Sequence, residues 1–327
     1  MSCHFGVLPA DLLQSLSGQL QQDRNQEIDA QANGGLRFLR LPHPRTGIPA
    51  LFLPHEASQS STILEIQAVS PPNRRSWFMD EEVIEDGKLL VMNPIDPAFL
   101  LIPMLQTTIP TDGTAGNFRP ADDIFEQAAE KIIAASSLDG DTPVALEDIQ
   151  HLSSLRCMHA AMRRICDFKE ITPEITVFRY SQEKVLQYLR TKVARLSDQS
   201  IGEVSRTLNR SLAKDGLMED GKESLLALAR VRMACDLVSQ YLPRDVLDTL
   251  LSSYDFATLD AYTKSLKEEA MALAAVSMNA VEARESKDQK EAGNDKKRKA
   301  KGTHGVEKLK KANIKGMAKL STFFQKK

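Results

Sequence analysis

The sequence predicts an α+β protein in three parts: a small β-barrel domain over residues 1–93, a helical, winged-helix-like domain over 94–281 and a disordered basic tail over 282–327. Three observations support this division. Short runs before residue 93 nearly alternate apolar and polar residues, which is typical of strands. From Asp96 onward apolar residues recur at helical spacing. Between Tyr262 and Phe323 the chain has no aromatic residue, so this segment cannot build a core of its own.

Turn signals divide the first part into short strands. Asn33-Gly34-Gly35 and the segment 42–47 are the first two turns, and strands are predicted at 36–41, 48–53, 62–69 and 88–92. Pro49 would remove a ladder hydrogen bond from a central strand, so its strand is predicted at an edge or at a subunit contact. A sheet of so few strands barely closes on itself. We therefore expect a partner chain to complete the barrel.

Helical signals begin at Asp96, which is predicted to cap a helix that has Pro97 at its first position and is apolar on every side. A second helical zone covers 146–166, and Ser181 caps a third helix. The segment 175–180 reads as a short strand. Helices with a small β-element indicate a winged-helix-like domain, although the periodicity alone is equally compatible with a plain helical bundle. Residues 197–221 are predicted as a loop, and helices resume at residue 222.

Charge is unevenly distributed along the chain. The net charge is -2, yet residues 296–327 contain 12 Lys and Arg and a single acid, Glu307. The remaining body is acidic, which argues against binding of the whole protein along nucleic acid, whereas the tail suits DNA, RNA or an acidic protein surface. The cluster within it predicts a nuclear import signal and a nuclear location, with a solvated charge run as the alternative; its residues are Lys296, Lys297, Arg298, Lys299 and Lys301.

Neither a membrane span nor a metal site is expected. The sequence has no run of 18 apolar residues and no cleavable signal, which indicates an intracellular protein without membrane contact. The four cysteines lack CxxC or regular disulfide spacing, so we expect reduced, structural thiols and no zinc. We find no P-loop and no GxSxG, and acids such as Asp122 and Asp123 lie in exposed contexts. We therefore predict no catalytic residue, no metal ligand and no cofactor.

The last residues of the sequence contain a short apolar motif at the end of a lysine-rich segment. Met317, Leu320, Phe323 and Phe324 fall on one side of a single helical turn, which suits insertion into a hydrophobic groove. The spacing resembles the clamp-binding peptide, or PIP box, that docks on the PCNA sliding clamp, with Met317 where that motif usually has Gln. The alternative is a frayed terminus whose Phe residues have no partner.

Three stretches together resemble one family, the B subunit of the eukaryotic type 2 ribonuclease H complex. The first is Arg-Ser-Trp-Phe-Met at 75–79, with Gly-Lys-Leu-Leu at 87–90 and Pro-Ile-Asp-Pro-Ala-Phe-Leu-Leu at 94–101. The second consists of the segments 178–189 and 239–243 in the predicted helical domain, and the third is the tail segment 316–324. The resemblance spans nearly the whole chain, and its most specific part is the combination of Trp77-Phe78 with the Asp96-Pro97 segment.

The resemblance implies a non-catalytic subunit. In the family, strands of the B and C subunits interlace into shared β-barrels, and that pair holds the catalytic A subunit, whose carboxylates bind magnesium. The complex cuts the RNA of RNA:DNA hybrids and starts the removal of single ribonucleotides from DNA. The implied partners are therefore the A and C subunits and the PCNA clamp, with a weak contact to DNA or hybrid.

The apolar residues of the barrel domain are the predicted subunit interface. Trp77, Phe78, Phe38 and Phe52 are too many large side chains for a sheet with open edges. Two other classes of function compete with this scaffold. A stand-alone winged-helix DNA-binding protein would use its tail for phosphate contacts. An independent hydrolase is disfavoured because no catalytic constellation is present.

Overall fold

A computed structural model of the chain describes residues 4–10, 12–14, 17–18, 37–56, 60–73, 75–80, 82–110, 116–136, 144–173, 175–198, 200 and 205–292, with the backbone alone from 277 onward. The chain divides into two compact units, residues 1–261 and 262–327. The predicted α+β class is confirmed within the first unit, where a β-sheet domain is followed by helices and a second, smaller sheet.

The main sheet has five strands in the order β1-β7-β4-β3-β2, and a separate hairpin pairs β5 with β6. The three central pairs, β7 with β4, β4 with β3 and β3 with β2, are antiparallel. Among the described strands, β1 is the one that pairs in parallel, placing Phe5 opposite Leu89. The strands are β1 (Phe5–Val7), β2 (Leu39–Pro42), β3 (Pro49–Glu56), β4 (Ser61–Val69), β5 (Trp77–Met79), β6 (Glu82–Ile84) and β7 (Leu89–Ile95).

Of the two positions predicted for the strand of Pro49, the sheet edge is wrong, because strand β3 lies inside the sheet between β4 and β2. The sheet tolerates the proline because Pro49 is the first residue of the strand and pairs with Pro42, the last residue of β2. The preceding turn is closed by Gly47, whose φ of 70° suits glycine and whose N–H donates to the carbonyl of His43 at 2.8 Å. On this side of the sheet the edge strand is β2.

The helix predicted after Asp96 is confirmed as α1 (Pro97–Gln106). The Asp96 carboxylate accepts the Ala98 N–H at 3.1 Å, which satisfies one free donor of the first turn. Seven of its ten residues are buried, as the apolar run predicts. Residues of α1 share one core with the sheet residues Leu39, Phe52 and Ile63, and this core continues into the later helices. The sheet and the helices therefore share one hydrophobic core.

The second sheet has three strands in the order β8-β10-β9, and both of its pairs are antiparallel. Its strands are β8 (Arg119–Pro120), β9 (Cys166–Glu170) and β10 (Thr176–Tyr180). The strand predicted at 175–180 is thus confirmed as β10, and the hairpin β9–β10 is the wing of a winged-helix domain. A plain helical bundle is excluded because this sheet packs against the helices α2 (Ala121–Ser136), α4 (Arg156–Ile165) and α5 (Gln182–Leu196). Helix α3 (Leu146–Ser154) packs on α2 and α4.

Two segments predicted without regular structure contain helix. Helix α6 (Arg206–Lys214) lies within the predicted loop 197–221, because Ser205 caps it and Leu212 is buried. Helices α7 (Glu223–Val238), α8 (Arg244–Ser252) and α9 (Ala257–Ala292) follow. Helix α9 continues past residue 281, where the disordered tail was predicted to begin, since no Gly or Pro interrupts it before Gly293. Beyond Ala292 the predicted tail lies outside the described residues.

Candidate subunit interface

The hairpin β5–β6 exposes apolar side chains from both of its strands. Phe78 is 81% exposed and lies directly opposite Val83, which is 57% exposed. Asp80 at the turn has a φ of 51°, a conformation that Asp tolerates better than most residues. An isolated two-stranded hairpin is marginally stable in water. A hairpin that turns a Phe and a Val outward therefore presents an apolar surface suited to another chain.

Trp77 anchors this hairpin to the main sheet. Its indole Nε1–H donates to the carbonyl of Lys88 at 3.1 Å, and its ring lies 5.0 Å from that of Phe5 in β1. Gly87 lets the backbone at Arg75, just before the hairpin, come close to the chain before β7, because a Cβ at position 87 would come within 2.1 Å of the Arg75 carbonyl oxygen. Trp77 is half-buried, so it holds the hairpin in place while Phe78 faces away.

The two edges of the main sheet differ. The edge at β2 is covered by α3: the Arg40 N–H donates to the Asp148 carboxylate at 3.0 Å, and the Arg37 guanidinium donates to the same carboxylate at 3.0 Å. At the opposite edge, β1 contains Val7, which is 53% exposed. Strand β1 is the second edge of the sheet, and it lies on the side of Trp77 and the hairpin.

The four predicted interface residues separate into three environments. Phe78 is exposed, Trp77 is half-buried and Phe38 is 49% exposed before β2. Phe52 is fully buried in the core of its own chain, on the sheet face that packs against the helices. The sequence reasoning missed Val7 and Val83. For Val83 the signal was a two-residue turn, Asp80-Glu81, between short apolar runs.

A polar cluster fixes the sheet against the helical domain. Glu65 of β4 is buried, accepts the Tyr241 O–H at 2.8 Å and lies 3.6 Å from Nε2 of His43. Burial and the neighbouring Glu65 raise the pKa of Tyr241 to about 12, so its hydroxyl stays protonated and donates. The ring of Tyr241 also stacks on Phe99 of α1 at 5.6 Å.

Asp96 holds a second junction between strand and helices. Besides capping α1, its carboxylate accepts hydrogen bonds from Tyr188 and Lys192 of α5. Burial alone would raise the pKa of Asp96, but the hydrogen bonds from Lys192, Tyr188 and the Ala98 N–H outweigh it and lower the pKa below its ordinary value. The ionised carboxylate is therefore part of the fold.

The remaining predictions have mixed outcomes. Cys157, Cys166 and Cys235 are free and buried, as expected of structural thiols. Burial raises the pKa of the Cys166 thiol to about 12. The described residues contain no group of three or more His, Cys, Asp or Glu able to hold a metal, and no described helix is long and apolar enough to cross a membrane. The predicted clamp-binding and import residues lie outside the described residues.

Comparison with known proteins assigns both parts of the first unit. Residues 20–96 match the triple barrel domain of the Ydr279p protein family, and residues 99–251 match the winged helix-turn-helix domain of that family, described as an RNase H2 complex component. The chain belongs to the family of ribonuclease H2 B subunits. The predicted resemblance is thereby confirmed, and the chain is a component of the ribonuclease H2 complex.

Individual relatives match the chain along most of its length. The ribonuclease H2 B subunit of Xenopus laevis is 29% identical over 303 residues, covering 89% of this chain and 87% of the relative. The human protein of that name is 27% identical over 304 residues, covering 89% and 86%. The Schizosaccharomyces pombe protein is 26% identical over 306 residues, covering 89% and 95%. The exposed hairpin belongs to the part that matches the family's triple barrel domain.

Proposed function

We propose that this chain is the non-catalytic subunit that joins the catalytic A subunit of ribonuclease H2 to the C subunit and to the replication clamp. The assembled enzyme degrades the RNA of RNA:DNA hybrids and initiates removal of ribonucleotides misincorporated in DNA. The chemistry belongs to the A subunit, whose carboxylates hold magnesium. This chain contributes no catalytic group and no cofactor.

The observation that carries the proposal is the open, apolar side of the barrel domain. Phe78 and Val83 project from a hairpin that pairs only with itself among the described strands, beside the edge strand β1, whose Val7 is 53% exposed. Strands of the C subunit would pair at this edge and bury both side chains. The opposite edge does not suit such pairing, because Asp148 already accepts the Arg40 N–H there.

The tail supplies the second half of the proposal. Met317, Leu320, Phe323 and Phe324 would insert into the hydrophobic groove of the PCNA clamp, and the basic cluster 296–301 would direct the chain to the nucleus. A tether raises the effective concentration of the nuclease at the clamp without fixing its orientation. The proposal therefore separates assembly, through the barrel, from recruitment, through the tail.

Expression of the chain alone and with its partners tests the proposal. A chain whose barrel needs strands from a partner should aggregate when expressed alone. When co-expressed with the A and C subunits, it should be soluble and copurify with them. Hybrid cleavage should appear only with the A subunit present. A chain that is soluble and monomeric alone, binds DNA with strong salt dependence and fails to copurify would instead be a stand-alone winged-helix DNA-binding protein.

A further inference from the structure

A cleft of about 580 Å³ opens where helix α4 meets the barrel sheet. Its walls come from the start of β4, the end of β7, the start of α1 and one face of α4. Arg156 and Arg164 lie on the α4 side, with Cys157 and Ala160 between them. Two guanidinium groups therefore flank a space large enough for a nucleotide-sized group.

Two arginines and one acid line this cleft. Among the described residues, Asp96 is the acid in its wall, and this carboxylate already accepts hydrogen bonds from Lys192, Tyr188 and the Ala98 N–H. Arg164 lies 3.8 Å from the same carboxylate, so Asp96 is shared between two cations. The charge of Arg164 is thus only partly compensated.

Both arginines remain accessible. The side chain of Arg164 is 47% exposed, and that of Arg156 is 57% exposed although its Nε donates to Glu56 at 2.8 Å. Ion pairs this exposed contribute little to stability, so a phosphate can replace the carboxylate as partner at small cost. Two hydroxyl residues, Ser61 and Thr62, complete the opposite wall, and Oγ1 of Thr62 is buried without a hydrogen-bond partner in the described part of the chain.

The exposed face of α4 indicates which anionic partner fits. Its exposed residues are Arg156, His159, Ala160, Arg163 and Arg164, which include neither an acid nor a large apolar side chain. Protein interfaces normally have an apolar core, whereas contacts to a nucleic-acid backbone are made by Arg and Lys with little apolar area. A phosphodiester backbone therefore suits this face better than an acidic protein surface.

We propose that the cleft between helix α4 and the barrel binds a backbone phosphate of the duplex held by the ribonuclease H2 complex, with Arg156 and Arg164 as its ligands. This inference rests on the proposed function, because the assembled enzyme supplies the duplex. The contact is independent of base sequence and of the strand that is cut. It positions the duplex relative to the barrel and takes no part in the chemistry.

The test is duplex binding by the complete three-subunit complex without magnesium, measured by fluorescence anisotropy across a salt series. The double substitution Arg156→Gln and Arg164→Gln should lower the slope of log affinity against log salt by about 0.9, since the two arginines bind one phosphate and each phosphate contact contributes about 0.9. Arg164→Lys should retain its share of the slope because it keeps the charge. The matched control is Arg206→Gln with Arg210→Gln on α6, which removes the same charge from another exposed helix.

The outcomes separate this inference from the proposed function. An equal loss of slope on an RNA:DNA hybrid and on a DNA duplex of the same sequence supports the phosphate contact, whereas a loss on the hybrid alone would contradict it. Equal slopes for the α4 and α6 variants would overturn the inference. It would also be overturned if inorganic phosphate bound at the two arginines while duplex binding stayed unchanged. If the variant complex still assembles and cleaves hybrid with magnesium while the slope is unchanged, only this inference fails.

Discussion

Phe78→Ala should weaken association with the C subunit while leaving the fold of this chain intact. A phenylalanine side chain buries about 200 Å² when fully covered, and Phe78 is 81% exposed in the free chain. About 160 Å² therefore remains for a partner to cover, corresponding to about 4 kcal/mol at ~25 cal/mol/Å². Alanine keeps part of that area, so the expected loss is about 2–3 kcal/mol, or roughly 30- to 150-fold in Kd.

The assay is dilution-dependent dissociation of a fluorescently labelled, co-expressed complex, followed by mass photometry. Ile171→Ala is the matched control, because Ile171 is 63% exposed on the wing, outside the candidate interface. We expect the control to dissociate like the unsubstituted complex. An unchanged Kd for Phe78→Ala, or an equal loss in both variants, would refute the argument that the hairpin is the docking surface.

Three further predictions concern the anchor, the tail and the junction at Asp96. Trp77→Ala should lower the melting temperature of the complex, since an indole buried in a shared core stabilises it by roughly 3–5 kcal/mol; an unchanged melting temperature would contradict a shared core. Phe323→Ala with Phe324→Ala should abolish clamp binding in calorimetry yet leave hybrid cleavage intact; lost cleavage would make the tail part of the enzyme. Asp96→Asn should cost roughly 1.5–3 kcal/mol at neutral pH. Because the folded pKa of Asp96 is lowered, its contribution is present above its ordinary value of 3.8 and is lost as pH falls through the folded pKa. Denaturant titrations from pH 7 to pH 3 should therefore show the variant and the unsubstituted complex converging; a constant difference would contradict the ionised cap.

The sequence predicted correctly those elements that are determined by a few neighbouring residues. Asp96 and Pro97 define the start of α1 because cap and first-turn preferences act within a few residues. Helix α6 was missed because its neighbouring glycines, Gly202 and Gly216, suggested a loop, while its stabilising contact, the burial of Leu212, is tertiary.

Long-range pairing was the part that the sequence did not reveal. The parallel pairing of β1 with β7 joins Phe5 to Leu89, and no local pattern records such a partner. The edge position assigned to Pro49 was wrong for the same reason, since strand order depends on the whole sheet. For the candidate interface, apolar content identified Phe78, but only the hairpin register showed that Val83 lies beside it.

Photo-cross-linking from position 78 tests the central claim most directly. Phe78→benzoylphenylalanine in the co-expressed three-subunit complex places a reactive aromatic group on the exposed hairpin, and Ile171→benzoylphenylalanine places one on the wing. We predict that irradiation joins position 78 to the C subunit, as identified by mass spectrometry, and that position 171 gives no such product. A complex that assembles and cleaves hybrid without any cross-link from position 78 to the C subunit would contradict the claim that this hairpin is where the partner completes the barrel.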